Sequence, residues 1–383
     1  MKLIYISQGN IPSKWAHTFQ AMKMADAFAK QIDALSMVIG GGLFSSKPQG
    51  VDCSEWYGVG GKVRIVRLPV WLSLREPLFD GWKYPRFDRI AALYARTQSP
   101  DIVYTRSANA GRLCVKLGLD TIIEFHMGSE RTELFHIEAV KDNPHLLGVV
   151  TISNELEELY AKAGIPRDKI FVWPDAVDVE AFERLPAKQS LRKALGLAQD
   201  AFIATYCGHL YPERGIEDIL TCAGALPHVQ FLLVGGWRND VEKRKEEARH
   251  LGNVHFKGFV AHPHVPEYLL ASDVLLMPYA STCENVVWMS PLKLFEYMIS
   301  GCPIVATDLP ALRKHLKHGR NALLVKPDDP RALADAIRMV MNNMTDAMKL
   351  AKAARADVAP YTWHNRARAI LTRFCADYCA SER

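Results

Sequence analysis

No apolar run in this 383-residue chain approaches the roughly 20 residues that a membrane-spanning helix needs, so no span is expected. The amino terminus, MKLIYISQGN, carries one Lys and an apolar run too short for the hydrophobic region of an export signal. The eight cysteines (53, 114, 207, 222, 283, 302, 375 and 379) contain no C-x-x-C pair, so neither a zinc site nor a disulfide framework is expected. Together these absences give a cytoplasmic expectation. Charge of one sign is also scarce: 47 Lys and Arg against 42 Asp and Glu leave a net +5, too little for a nucleic-acid binder that works by neutralising phosphates. No fixed-period repeat and no low-complexity stretch interrupts the chain.

The basic excess is local. Residues 62–96 hold eight Lys and Arg against three Asp and Glu, together with Trp71, Phe79, Trp82, Tyr84 and Phe87. Two readings stand: a solvated loop and helix whose rings pack inward, or a peripheral contact with the inner face of a membrane.

What the chain has in quantity is alternation. KLIYIS, ALSMVIG, VRIVRLP, DIVYT, TIIEFH and GVVTIS are predicted strands, and between them WAHTFQAMKMADAFAKQ, YPRFDRIAALYARTQ and NELEELYAKAG have helical apolar spacing. Wholly apolar strands alternating with helices imply an α/β chain with parallel sheets covered on both faces. The pattern pauses at 172–190 and restarts with AFIATY, VQFLLVGG, NVHFKGF, DVLLMPY, CPIVAT and NALLVKP. At this length two domains are expected, residues 1–180 and 181–361, with a terminal helix in 362–383 packing back on the first. Open parallel sheets bind ligands beyond the carboxyl ends of their strands, so two facing sheets predict a central cleft suited to group transfer.

The stretch SPLKLFEYMISGCPIVATDLP, residues 290–310, predicts a helix N-capped by Ser290, with Pro291 at its first position and Gly301 at its end. The amides of Leu292 and Lys293 and the Lys293 charge then make an anion site. Glu296, on the same side, could accept two hydrogen bonds from vicinal hydroxyls; the competing reading is an exposed Lys293–Glu296 ion pair. Other strand ends converge on the same chemistry. YCGHLYPERG supplies Arg214, able to bridge a diphosphate; FLLVGG supplies Gly235, where backbone can approach a ligand; VHFKGFV supplies Phe259 and Val260, suited to hold a base.

In this order these motifs resemble glycosyltransferase family 4, the retaining, sugar-nucleotide-dependent enzymes of the GT-B fold, in which two Rossmann-like doubly wound domains face a central cleft. The likeness runs over residues 203–337, with TISNELEELYAKAGIPRDKIFVWPDAVDVEAF at 151–182 and DIVYTRS at 101–107 as further matches. The resemblance implies that Glu296, the second glutamate of a Glu-x7-Glu motif, binds the nucleotide ribose. By the same likeness Leu292, Lys293 and Arg214 hold the diphosphate, Phe259 and Val260 the base, and His126 meets the donor sugar. His126, Arg214 and Lys293 are thus the expected catalytic residues.

The chain departs from the family pattern in three places. Trp288 stands where the first glutamate is expected, with Glu284 four residues earlier; His209 replaces a usual Arg; and SQGNIPSKWAHTFQ replaces a Gly-Gly turn, so that Gly9 is expected to make the turn and Ser13 and Lys14 to open the helix. His17, His136, His145 and His262 lack such support and read as surface or capping residues. The implied reaction is retaining transfer of a hexosyl or N-acetylhexosaminyl group from a UDP-sugar, ahead of a GDP-sugar, to a glycan or lipid-linked acceptor hydroxyl. Neither a metal nor a further cofactor is expected, and the expected setting is bacterial surface polysaccharide or glycoconjugate synthesis. Two rivals share these features: a GT-B sugar-nucleotide epimerase and a non-catalytic nucleotide-binding partner subunit.

Overall fold

The computed structural model describes residues 1–9, 11–41, 53–69, 84–127 and 131–375. They divide into two compact units: Met1–Asp175 together with the chain from Trp363, and Ala176–Thr362.

The first unit holds a seven-stranded sheet in the order β3-β2-β1-β4-β5-β6-β7, parallel throughout. Its strands are β1 Lys2–Ser7, β2 Ala34–Gly41, β3 Arg64–Pro69, β4 Ile102–Thr105, β5 Thr121–Phe125, β6 Leu146–Thr151 and β7 Ile170–Val172. Every residue of β4 and β5 is buried, which a strand achieves only when helices cover both faces of its sheet. Chain order reverses between β1, whose Ile4 faces Val103, and β4, so the ligand-binding crevice of such a sheet lies beyond these strand ends.

The second unit repeats the plan with six strands in the order β10-β9-β8-β11-β12-β13. These are β8 Phe202–Cys207, β9 Val229–Val234, β10 Val254–Gly258, β11 Val274–Met277, β12 Ile304–Thr307 and β13 Leu323–Val325. Here the order reverses between β8 and β11. The pause in the sequence pattern includes a short helix, Glu180–Glu183, and the start of another, Lys188–Leu195. The short strand β7 was hidden in the sequence because only Ile170–Val172 form it, between the charged turn Arg167–Lys169 and Pro174.

The terminal helix Trp363–Phe374 belongs to the first unit, where Arg366, Ala367, Ile370 and Leu371 are buried. No helix among the described residues is long and apolar enough to cross a membrane. Of the basic aromatic segment, Trp71, Phe79 and Trp82 lie outside the described residues, whereas Phe87 packs in the core of the first unit.

Candidate functional site

In the second unit the helix Leu292–Ser300 sets the site. Leu294, Phe295, Met298 and Ile299 are buried in the core, and the Tyr297 hydroxyl accepts the Cys207 amide at 2.8 Å, pinning the helix to the end of β8. Lys293 lies one turn before Tyr297, on the same face, and is thereby aimed at that strand end. The expected cap differs: Pro291, extended at φ −74°, is the cap residue, and no side chain caps the helix. Proline has no amide to give, so the helix start shifts one residue and the amides of Leu292 and Lys293 stay at its tip.

The Lys293 ammonium is buried, and its Nζ has no hydrogen-bond partner among the described residues. It lies 4.1 Å from the centre of the Tyr206 ring and 4.9 Å from that of Tyr279, at the two strands where the sheet order reverses. The Arg214 guanidinium sits 4.9 Å from the same Tyr279 ring. Burial, reinforced by Arg214, lowers the Lys293 pKa to about 7. The ring faces offset only part of what a desolvated ammonium loses, so Lys293 stands short of negative charge, whereas Arg214 Nε has Glu213 Oε1 at 4.0 Å. The Lys293–Glu296 ion pair is absent. Glu296 instead meets His262, whose Nε2 is 2.9 Å from Oε1. His262 is thus no mere cap; a short turn at His262–His264 brings it over the helix.

The remaining residues line the same strand ends. The His209 ring stacks on Tyr211, 4.9 Å away at 8°, and lies 5.6 Å from Trp237, whose indole N–H donates to the Tyr211 hydroxyl at 3.0 Å. Burial first, then Lys293 and Arg214, lower its pKa, so it is neutral at pH 7. Gly235 has φ 113°, and a Cβ there would meet the Gly208 carbonyl oxygen at 2.4 Å, so only glycine lets these two loops touch. Phe259 is 38 % exposed at the end of β10, and Val260 packs against the core beside it. Trp288 is half-buried in a turn and Glu284 is exposed.

The first unit carries a different cluster. Glu124, on β5, is fully buried; its Oε1 accepts from Arg366 Nη2 at 2.8 Å and Gln20 Nε2 at 2.8 Å, while Oε2 accepts from the Tyr104 hydroxyl. His126 Nε2 is hydrogen-bonded to the same Oε1, and its Nδ1 lies 3.9 Å from Asp175. Arg366 also donates through Nε to the Pro174 carbonyl at 3.0 Å. Burial works to raise the Glu124 pKa, but Arg366 and then His126 hold it well below the usual carboxylate range. Burial, then Arg106, lowers that of His126, and burial raises that of Asp175. Glu124, His126 and Asp175 each offer one atom within 4.8 Å of the others, the spacing of a metal cage. The guanidinium on Glu124 already supplies a cation, and we assign no metal to it.

Two expectations at the amino terminus need correction. The first helix, Ala16–Ala29, starts after Trp15, with the Ser13 hydroxyl accepting the Trp15 amide at 3.3 Å. Ser13 and Lys14 therefore precede it, because the Ser13 side chain organises the approach to the helix. Gly9 has no left-handed backbone; a Cβ there would sit 2.7 Å from Thr18 Cγ2, so Gly9 permits close packing on the helix.

Sequence reasoning did not find Glu124, Arg366, Tyr206, Tyr279 or the His262 contact. A carboxylate inside the apolar strand TIIEF was one legible signal.

Comparison with known proteins follows this geometry. The two open parallel sheets are shared with sucrose-phosphate synthase from Thermosynechococcus elongatus, at a TM-score of 0.79 and 21 % identity over 99 % of each chain. They are shared also with HepE from Anabaena, solved in complex with UDP, at a TM-score of 0.73 and 17 % identity over 97 % of this chain and 99 % of that one. The fold is therefore GT-B. Residues 201–343, within the second unit, match the family described as glycosyl transferases group 1. A D-inositol 3-phosphate glycosyltransferase from Corynebacterium urealyticum is 27 % identical over 252 residues, 61 % of this chain and 57 % of that one. An alpha-galactosylglucosyldiacylglycerol synthase from Streptococcus pneumoniae is 28 % identical over 165 residues, 38 % and 44 % of the two chains. The chain spans about half the length of these curated relatives.

Proposed function

We propose that the chain is a retaining glycosyltransferase that moves a hexosyl or N-acetylhexosaminyl group from a UDP-sugar to an acceptor hydroxyl. The observation that carries this reading is the buried Lys293 ammonium, held beside Arg214 at the tip of a helix with no carboxylate among the described residues on it. Such a site lacks an anion, and a nucleoside diphosphate brings two phosphates. Glu296 then faces the ribose hydroxyls, and Phe259 and Val260 the base. As the sugar–phosphate bond breaks, the diphosphate gains charge, and Lys293 and Arg214 stabilise that charge where it develops. His126, in the first unit, is assigned to the donor sugar. Support for uracil comes from HepE, which was solved with UDP and with UDP-glucose. A glycan or lipid-linked acceptor of a bacterial surface polymer is consistent with relatives such as the Streptococcus pneumoniae glycolipid synthase.

A thermal-shift screen of UDP, GDP, TDP and ADP tests the donor, with Lys293→Met as control. UDP is expected to stabilise the native chain most and the variant little. Equal shifts in both would remove the diphosphate assignment.

A second reading, a nucleotide-binding partner that does not transfer, is favoured by one observation: Trp288 occupies the first-glutamate position, and Glu284 is exposed rather than turned inward. Turnover across a panel of sugar nucleotides separates the two, since a partner subunit would bind nucleotide without consuming donor.

A further inference from the structure

The first-unit cluster is more than a buried ion pair. Arg366 and Glu124 lie 242 residues apart in sequence, and both are wholly shielded from solvent. Tyr104 and Gln20, the other donors to Glu124, are buried as well. Of the groups hydrogen-bonded to Glu124, His126 alone has surface to offer a ligand, with 13 % of its side chain exposed. Whatever the carboxylate does for a substrate it must do through that ring.

We propose that Glu124 and Arg366 are positioning residues that hold His126 as its Nε2–H tautomer, with the Nδ1 lone pair left to accept a hydrogen bond from a sugar hydroxyl. A histidine with one ring nitrogen on a carboxylate carries its proton there, which decides what the other nitrogen can do. Arg366 keeps Glu124 ionised and therefore an acceptor only. Gln20 shares Oε1 with the ring and Tyr104 holds Oε2, so rotation of the carboxylate away from the ring would break both bonds. Burial and the nearby Arg106 disfavour the imidazolium, so a neutral ring with a defined tautomer is the working form. Arg106 itself is tied to the Gln20 amide oxygen at 2.8 Å. Asp175, at 3.9 Å from Nδ1, is too distant for a hydrogen bond to that nitrogen. The terminal helix thus completes a site that the rest of its unit begins. In chemical terms, His126 is a hydrogen-bond acceptor to the donor sugar and not a proton donor to it.

The hydroxyl half of this inference rests on the proposed donor-sugar role of His126, whereas the tautomer half does not. The test is nitrogen-15 NMR of the full chain labelled at histidine, with the His126 signals assigned by their loss in His126→Asn. Wild type is expected to show the Nε2–H tautomer in excess by about tenfold or more at neutral pH, the preference that a charge-assisted hydrogen bond imposes. Because Arg366→Met alone strands a buried carboxylate, the informative variant is the neutral pair Glu124→Gln/Arg366→Met, in which the excess should collapse toward a mixture. The signals of His17, His136 and His145, which belong to the same unit, serve as the check that the variant is folded and should stay in place. A mixed or Nδ1–H ring in wild type, or an unchanged tautomer ratio in the double variant, overturns the relay. Donor hydrolysis then separates the two readings. If His126→Ala consumes UDP-glucose as wild type does, the donor-sugar role fails while the tautomer result stands; if only the double variant keeps wild-type turnover, the relay fails and His126 keeps its role.

Discussion

The two units of this chain bury charge in opposite ways. In the first, Glu124 and Arg366 are paired and both carboxylate oxygens accept hydrogen bonds, although Arg366 Nη1 has no partner among the described residues. In the second, Lys293 is buried against two tyrosine rings, with Arg214 beside it and no carboxylate on its ammonium. A charge-paired network fixes geometry, because any member that moves leaves a buried charge exposed to a low-dielectric surround. An unsatisfied one holds binding free energy in reserve, because the missing counter-charge can only come from outside. On the proposed reading, the first cluster is scaffold for a single histidine and the second is the place where an anionic ligand docks.

Removing one cation from each cluster breaks the comparison most sharply. Arg366→Met strands a fully buried carboxylate, and unfolding in urea should show a loss of about 3–5 kcal/mol, most of it recovered when Glu124→Gln is added. Lys293→Met removes a charge that burial already disfavours. Its nucleotide-free melting temperature should hold or rise, while UDP affinity measured by calorimetry should fall about 10- to 100-fold, the value of a charge-assisted contact of about 1.5–3 kcal/mol. A melting temperature that falls in the lysine variant as it does in the arginine variant would erase the distinction.

Smaller effects sharpen the picture of the second unit. Glu296→Ala should weaken UDP by about tenfold yet leave inorganic pyrophosphate affinity within about twofold, because the carboxylate is assigned to the ribose and not to the phosphates. The smallest effect is expected at His262, whose half-exposed ring only steadies Glu296. His262→Gln should cost UDP about two- to threefold, and nothing further in the Glu296→Ala background. A full additional loss there would mean that His262 touches the nucleotide itself.

Much of this was legible in the sequence, for a physical reason. Wholly buried strands such as IVYT and helices with one apolar stripe report their environment through local composition, so the alternating pattern predicts two parallel sheets. Gly235 follows β9 directly, Arg214 lies in the loop after β8 and Lys293 in the first turn of a helix, so each was found from local pattern. Partnerships across the chain were not legible. Nothing near HNRARAIL says that Arg366 meets a carboxylate 242 residues earlier, because a buried Arg on an apolar helix face and a snorkelling surface Arg share one spacing. Likewise the three-residue interval between Lys293 and Glu296 suits an ion pair, but the core contacts of Phe295 and Tyr297 turn the lysine toward β8 and leave the glutamate to His262.

The central claim is that Lys293 awaits a diphosphate, and its titration tests this most directly. The folded-state pKa, lowered to about 7 from 10.5, means that the nucleotide-free protein gains stability as pH rises above about 7, where the unfolded chain binds the extra proton. A bound diphosphate raises that pKa again. UDP affinity should therefore be flat just below pH 7 and fall above it by up to about tenfold per pH unit, with proton uptake visible as a buffer-dependent binding enthalpy. Calorimetric titration of wild type and Lys293→Met with UDP from about pH 7 to about pH 9 makes the comparison. The account predicts a falling affinity with proton uptake in wild type and a weak, pH-independent affinity in the variant; equal affinities with no proton uptake in either would contradict it.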